Sequence, residues 1–264
     1  MLADVKRAIA DRPAGTRLLF LSDYDGTLAD FHPDPTIPRP SGHTAELLAK
    51  LAARADISFG IVSGRRIADL RTRTQLPSRV YLAGLHGMEI EVGSRRWQHP
   101  DIDAARQYVR ELVEKLDEVH DAIPGLVLED KHSSVVVHVR GVHPDLRAAT
   151  VERADRCAQH WLVSGKLRRL AGSQVVEYLP NIAAHKGDAT RWIVEDVIER
   201  CGQPVWTVFV GDDVTDEDAF KAIEQGIGVL VGSRETHATH RIGNTRDVDA
   251  LLEWVSALPV PSHV

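Results

Sequence analysis

Short, continuous apolar runs recur along the chain, and helical patterns separate them. Arg17–Asp23 (RLLFLSD), Ile57–Ser63 (ISFGIVS), Val80–Ala83 (VYLA), Trp206–Gly211 (WTVFVG) and Ile227–Val231 (IGVLV) are such runs. Continuous apolar stretches of this length suit strands buried on both faces. Between them, residues 41–55 carry Leu47, Leu48 and Leu51 at helical spacing. Residues 187–200 carry Trp192, Ile193, Val197 and Ile198, and Gly202 follows as a stop. Residues 216–225 and 247–258 predict two further helices. The alternation predicts an α/β fold with a Rossmann-like, largely parallel sheet.

The middle of the chain follows a different pattern. Residues 102–119 and 144–161 predict amphipathic helices, whereas Leu126–Arg140 (LVLEDKHSSVVVHVR) and Leu167–Leu179 (LRRLAGSQVVEYL) alternate as strands do. Alternation implies an antiparallel sheet with one wet face. A smaller α+β domain is therefore expected over residues 100–182, inserted into a core made of residues 1–99 and 183–264. No internal repeat or low-complexity segment interrupts this plan.

Composition narrows the function classes. The 264 residues contain 32 Lys and Arg against 38 Asp and Glu, a formal net charge of −6, and no basic run. That argues against nucleic acid as a partner, while a small anion can still bind where a metal and a few local cations reverse the field. The two cysteines, Cys157 and Cys201, form no C-x-x-C pair and read as free thiols in a reducing compartment. The first twenty residues read as an amphipathic helix and a strand rather than a signal peptide. No apolar run reaches transmembrane length. A cytoplasmic monomer without a membrane partner is the expectation.

Two strand ends are acidic. Asp23-Tyr24-Asp25-Gly26-Thr27 follows the first run, where α/β sheets place their chemistry. One carboxylate there can be nucleophile and metal ligand, the other a proton donor. Gly26 permits the turn that brings main-chain amides towards a phosphate. A simple turn or helix cap is the bland alternative. An EF-hand fails on spacing, because glycine falls at loop position 4 and Asp34 at position 12. The second acidic end is Gly211-Asp212-Asp213-Val214-Thr215-Asp216-Glu217-Asp218. Such acids repel unless they share a cation, and Mg²⁺ is the hard cation that suits carboxylates. A helix N-terminus accounts for Asp216, Glu217 and Asp218, but not for Asp212 and Asp213. Two weaker signals join them. Ser63-Gly64-Arg65 offers a hydroxyl and backbone amides to phosphate oxygens, and Lys186-Gly187 opens a helix where an anion is favoured.

These four elements, in this order, resemble the haloacid-dehalogenase superfamily of phosphatases over residues 17–99 and 183–258. The resemblance implies an aspartyl-phosphate mechanism with Asp23 as nucleophile and Asp25 as general acid and base. It implies that Ser63 and Lys186 bind the phosphoryl group, and Gly64 and Arg65 are expected as substrate-binding residues beside Ser63. Asp23, Asp212 and the Asp25 carbonyl would hold Mg²⁺, with Asp213 in support, and the insertion would be the cap domain of the sugar-phosphatase branch. The runs LSDYDGTL, GLHGME, LEDKHSSVVVHVR and GDDVTDEDAF narrow the resemblance to the trehalose-6-phosphate phosphatase family. That implies hydrolysis of trehalose 6-phosphate, the last step of trehalose biosynthesis. Val139 departs from the tyrosine common there, and these residues contain no counterpart of the synthase domain fused to some members. Glu129 and Lys131 lie two apart on one strand, so they share a face, and Glu177 lies on another strand. From the residues alone, a solvated ion pair and a set of sugar ligands are equally good readings; the resemblance favours the ligands. His86 and Glu89 read equally as structural or as site residues. The alternatives are a phosphatase for a sucrose- or mannosylglycerate-type phosphate, and a non-catalytic binding module on the same fold.

Overall fold

In the computed structural model, which describes residues 1–32, 37–131 and 134–260, the apolar runs lie side by side at the centre of one sheet. Asp34, His132 and Ser133 fall outside the described residues. The chain divides into two compact units, Met1–Gln98 with Ala184–Val264, and His99–Ala183. In chain order the first unit opens with α1 (Leu2–Ala10), β1 (Arg17–Ser22), α2 (Gly42–Ala53), β2 (Ile57–Val62), α3 (Ile67–Thr74), β3 (Tyr81–Gly84), β4 (Glu89–Val92) and β5 (Arg95–Gln98). The second unit contains α4 (Ile102–Asp121), β6 (Val127–Asp130), β7 (Val135–His138), α5 (Pro144–Val163), β8 (Leu167–Gly172) and β9 (Val175–Pro180). The first unit then resumes with α6 (Lys186–Cys201), β10 (Val205–Gly211), α7 (Glu217–Ala222), β11 (Gly226–Val231), β12 (His240–Ile242) and α8 (Thr245–Ser256). No helix of the described residues is long and apolar enough to cross a membrane.

The sheet of the first unit runs β12-β11-β10-β1-β2-β3-β4-β5. It is parallel from β12 to β3 and ends in two antiparallel pairs. Strand β1 is central, and its residues alternate between two cores. Leu18 and Phe20 join Leu47, Leu48, Leu51 and Leu251 on one side. Leu19 and Leu21 join Ile193, Val197 and Phe209 on the other. Burial on both faces is why this strand reads as an unbroken apolar run. In register, Ser22 pairs with both Ile61 and Val210. The residues just beyond β1, β2 and β10 therefore emerge together at one edge of the sheet.

Local chemistry sets the element ends. Ser41 caps α2 by accepting the Thr44 amide, and Gly202 ends α6 in the left-handed region at φ 64°. The helix expected over residues 216–225 is shorter: a 3₁₀ turn spans Val214–Asp216, and α7 stops at Ala222. The chain must turn there to enter β11 beside β10. Asn244 accepts the amides of Arg246 and Asp247, so α8 starts earlier than its apolar periodicity suggests. The β4–β5 hairpin and β12 escaped the pattern, being short and rich in charged residues.

The sheet of the second unit is antiparallel in the order β6-β7-β9-β8. Val135, Val137, Val176 and Tyr178 share a core with Leu112 and Leu116 of α4 and with Ala154, Ala158 and Trp161 of α5. Glu129, Val136 and Glu177 pair in one row across β6, β7 and β9, on the other face.

One ion pair ties two helix ends of the first unit together. Arg54 grips Asp56 through two nitrogens at 2.8 and 2.6 Å, and reaches the carbonyls of Ser256 and Leu258 at 2.9 and 2.6 Å. The hydrogen bonds from Arg54 hold the Asp56 carboxyl below its ordinary value. A depressed carboxyl stabilises the fold above its unfolded value and loses that contribution as pH falls through the folded one. Asp56→Asn is expected to lower unfolding free energy by about 1–2 kcal/mol at pH 7. In urea titrations the difference from wild type should close as pH falls below about 4; a gap unchanged at acid pH would count against the ion pair.

Candidate active site

Strand β1 delivers Asp23 to the sheet edge, where its amide donates to the Val210 carbonyl at 2.8 Å. The Lys186 ammonium donates to Asp23 Oδ1 at 2.8 Å and to Asp216 Oδ1 at 2.7 Å. All three are buried: Asp23 is 4% exposed, Lys186 2% and Asp216 0%. Lys186 reaches this position as the first residue of α6, whose start is fixed by reciprocal hydrogen bonds between His185 and Asp188. Burial works to discharge Lys186, yet the carboxylates of Asp216 and Asp23 hold the ammonium above the ordinary lysine range. Burial pushes the Asp23 carboxyl up, and Lys186 pulls the other way.

Asp212 completes the cluster. Ligand oxygens of Asp23, Asp212 and Asp216 all lie within 4.8 Å of one another. Asp212 Oδ1 accepts the Thr27 hydroxyl at 3.2 Å, and burial, reinforced by the facing Asp216, pushes its carboxyl up to about 6. A Cβ on Gly26 would run into the Asp212 carboxylate, and Gly26 turns at φ 78°, so glycine is required there on both counts. Three carboxylates facing one ammonium leave an excess of negative charge in a buried place. That donor set is all oxygen and hard, so it fits a divalent cation of the Mg²⁺ type.

Asp213 is not brought into this group. It follows Asp212 in an extended conformation, φ −99° and ψ 166°, so its side chain points the other way, is exposed, and accepts the Thr215 hydroxyl at 3.1 Å. Asp216, absorbed by helix-terminus chemistry in the sequence, takes the inward place. Its second oxygen accepts the Asp213 amide at 2.9 Å, which closes the turn between them. No local signal separates Asp216 from its acidic neighbours; only the long-range contact with Lys186 does.

Asp25 faces Arg65. The guanidinium holds both carboxylate oxygens at 2.7 Å, donates to Asp69 at 2.9 Å, and lies 5.3 Å over the Tyr24 ring. The Arg65 side chain thus engages Asp25, while its amide donates to Ser63 Oγ at 3.1 Å. Ser63 is buried beyond β2, its amide tied to the Ala83 carbonyl at 2.9 Å. A Cβ on Gly64 would sit 2.6 Å from His86 Nε2, so that glycine makes room for the imidazole. Glu89 accepts the Ile67 amide at 2.7 Å at the start of α3, which gives it a structural task.

In the second unit, Lys131 and Glu177 are brought together. The ammonium lies 3.4 Å from Glu177, which also accepts the Ser134 hydroxyl at 2.6 Å. Glu129 pairs with His138 at 3.0 Å.

Comparison with known proteins supplies the family. Residues 21–249 match the trehalose-phosphatase family model. A trehalose-phosphate phosphatase of Mycobacterium avium is 35% identical over 252 residues, covering 90% of this chain and 62% of that protein. One of Mycobacterium tuberculosis is 33% identical over 223 residues, covering 82% and 55%. The chain therefore spans less than two thirds of the length of these curated relatives. Among solved structures, the C-terminal domain of Candida albicans trehalose-6-phosphate phosphatase superposes with a TM-score of 0.77 at 22% identity, covering 98% and 97%. A haloacid dehalogenase-like hydrolase from Bacteroides thetaiotaomicron gives 0.62 at 15% identity, covering 91% and 100%. These two share the fold. With the family model matching most of its length and close to a third of its residues identical to those of the mycobacterial proteins, the chain belongs to the trehalose-phosphatase family.

Proposed function

We propose that this chain hydrolyses trehalose 6-phosphate to trehalose and phosphate by way of an aspartyl-phosphate on Asp23. The observation that carries the reading is the buried Lys186 ammonium, fixed between Asp23 and Asp216 beside a third carboxylate. The family relationship supports the substrate, and weighs against a sucrose- or mannosylglycerate-type phosphate.

In the first step an Asp23 oxygen attacks phosphorus, the bond to the sugar oxygen breaks, and Asp25 gives that oxygen a proton. Water then attacks the aspartyl-phosphate, Asp25 takes the proton, and phosphate leaves with Asp23 restored as a carboxylate. Ser63 and the amides of Gly64 and Arg65 bind phosphoryl oxygens. Lys186, already oriented, offsets charge on the transferring group. Asp25 must release one arm of Arg65 whenever it takes up a proton, since both of its oxygens face that guanidinium. Mg²⁺ bound by Asp23, Asp212 and the Asp25 carbonyl would neutralise the carboxylate excess and polarise a phosphoryl oxygen. Glu129, Lys131 and Glu177 select the sugar through its hydroxyls; a site built to hydrogen-bond hydroxyls discriminates strongly against analogues lacking them.

The nucleophile is tested by Asp23→Asn, which keeps shape and removes the anionic oxygen. Phosphate release should fall by several orders of magnitude with an unchanged circular dichroism spectrum, and substantial residual turnover would remove the covalent route. Asp25→Ala should cost roughly 10²–10⁴-fold.

Exhaustive chelation with EDTA should abolish phosphate release, and Mg²⁺ should restore it. Asp212→Ala should raise the Mg²⁺ requirement or end activity. Full activity in the chelated protein would point to a metal-free phosphatase.

Trehalose 6-phosphate should be hydrolysed far faster than glucose 6-phosphate, sucrose 6-phosphate or p-nitrophenyl phosphate. Glu129→Ala, Lys131→Ala and Glu177→Ala should each lower kcat/KM for trehalose 6-phosphate and largely spare p-nitrophenyl phosphate. Equal damage to both substrates would make the three residues structural, and equal rates on glucose 6-phosphate would leave only a general phosphatase.

A further inference from the structure

The turn that carries Asp212 and Asp216 is held from behind by a single side chain. Between β11 and β12, Arg234 donates from Nε to the Asp212 carbonyl at 3.0 Å and from Nη2 to the Asp213 carbonyl at 2.5 Å. Its third nitrogen reaches the Glu217 carboxylate and, at 2.9 Å, the Glu235 carbonyl. Glu217 is fastened in turn to the same loop. It accepts the Thr236 hydroxyl at 2.8 Å and the His237 amide at 2.7 Å, and lies 3.0 Å from His237 Nδ1. Glu217 is 12% exposed and Arg234 28%. Burial alone would raise the Glu217 carboxyl, but these donors hold it at about 2, so it stays ionised.

The consequence for the cluster is geometric. Asp212 and Asp216 point their carboxylates inward, while the carbonyls of Asp212 and Asp213 point at Arg234. A planar guanidinium that grips two successive carbonyls and the carboxylate next to Asp216 fixes the path of the turn, and with it the spacing of the two inward acids. Its charge is matched by Glu217, so it adds geometry rather than net field.

We propose that Arg234 is a positioning residue of the divalent-cation site, setting its affinity by holding the turn that aims Asp212 inward beside Asp216 and its partner Lys186. This rests on the metal reading above. Side chains that orient metal ligands typically contribute 10–100-fold in affinity.

The test is Mn²⁺ binding to the full chain, followed by electron paramagnetic resonance, with hydrogen exchange of residues 212–218 in the metal-free protein. Asp212→Asn should lose Mn²⁺ binding. Arg234→Gln should weaken it about tenfold. Arg234→Lys should be similarly weak, because a single ammonium cannot span the four acceptors that the planar guanidinium bridges. Both Arg234 variants should speed exchange over 212–218 while circular dichroism stays that of wild type. If the glutamine variant does not fold, the lysine variant decides. Wild-type Mn²⁺ affinity in a folded Arg234 variant, with Asp212→Asn still weak, would overturn the positioning role and leave the metal site standing. Restoration of affinity by lysine would overturn it too, by showing that charge suffices. No Mn²⁺ binding by the wild-type chain would remove the metal reading and this proposal with it.

Discussion

The burial of one ammonium governs the site. A lysine that is 2% exposed survives as a cation only with carboxylates to face. Lys186 has two, one beyond β1 and one in the turn before α7. The contact joins three segments far apart in the chain. Removing both acids would strand a buried charge, which is far costlier than losing a surface pair, whereas removing one leaves the other to pair with it.

The sheet decides where that contact forms. Parallel pairing of β1 with β10 and β2 brings acidic and hydroxyl-bearing strand ends to one edge, and two close approaches complete the fit. Gly26 lets the first acidic loop lie against Asp212, and Gly64 admits the His86 ring. Arg65 holds Asp25 away from the carboxylate cluster in a two-pronged pair, and Asp69 holds Arg65 from behind. Charges therefore alternate outward from the end of β1: Asp23 and Asp216 share Lys186, and Asp25 and Asp69 share Arg65.

In the second unit the polar residues are also engaged with one another. Glu177 accepts from Ser134 and Lys131, and Glu129 meets His138. They share the face opposite the Val135–Val137–Tyr178 core. Polar groups held in this way are oriented by one another rather than left as loose side chains. The entropic cost of ordering them has been met in folding.

The α/β class, the inserted α+β segment and the strand-end placement of Asp23, Ser63 and Asp212 were all legible in the residues. Continuous apolar runs can be satisfied only by strands covered on both faces, and glycines and acids mark where such runs stop. Lys186 and Asp25 were legible as candidates through motif order. Three things needed the folded chain. Asp216 replaces Asp213 as the inward acid, because a one-residue step in extended backbone reverses the side chain and the 3₁₀ turn brings the later acid round. Arg65 turns its side chain to Asp25, and Arg234 clasps the turn from a loop some twenty residues downstream. Periodicity and local propensity report what a residue does to its near neighbours in sequence. Which charge meets which across the sheet edge is a long-range matter, decided by strand register and by the demand that no buried charge be left alone.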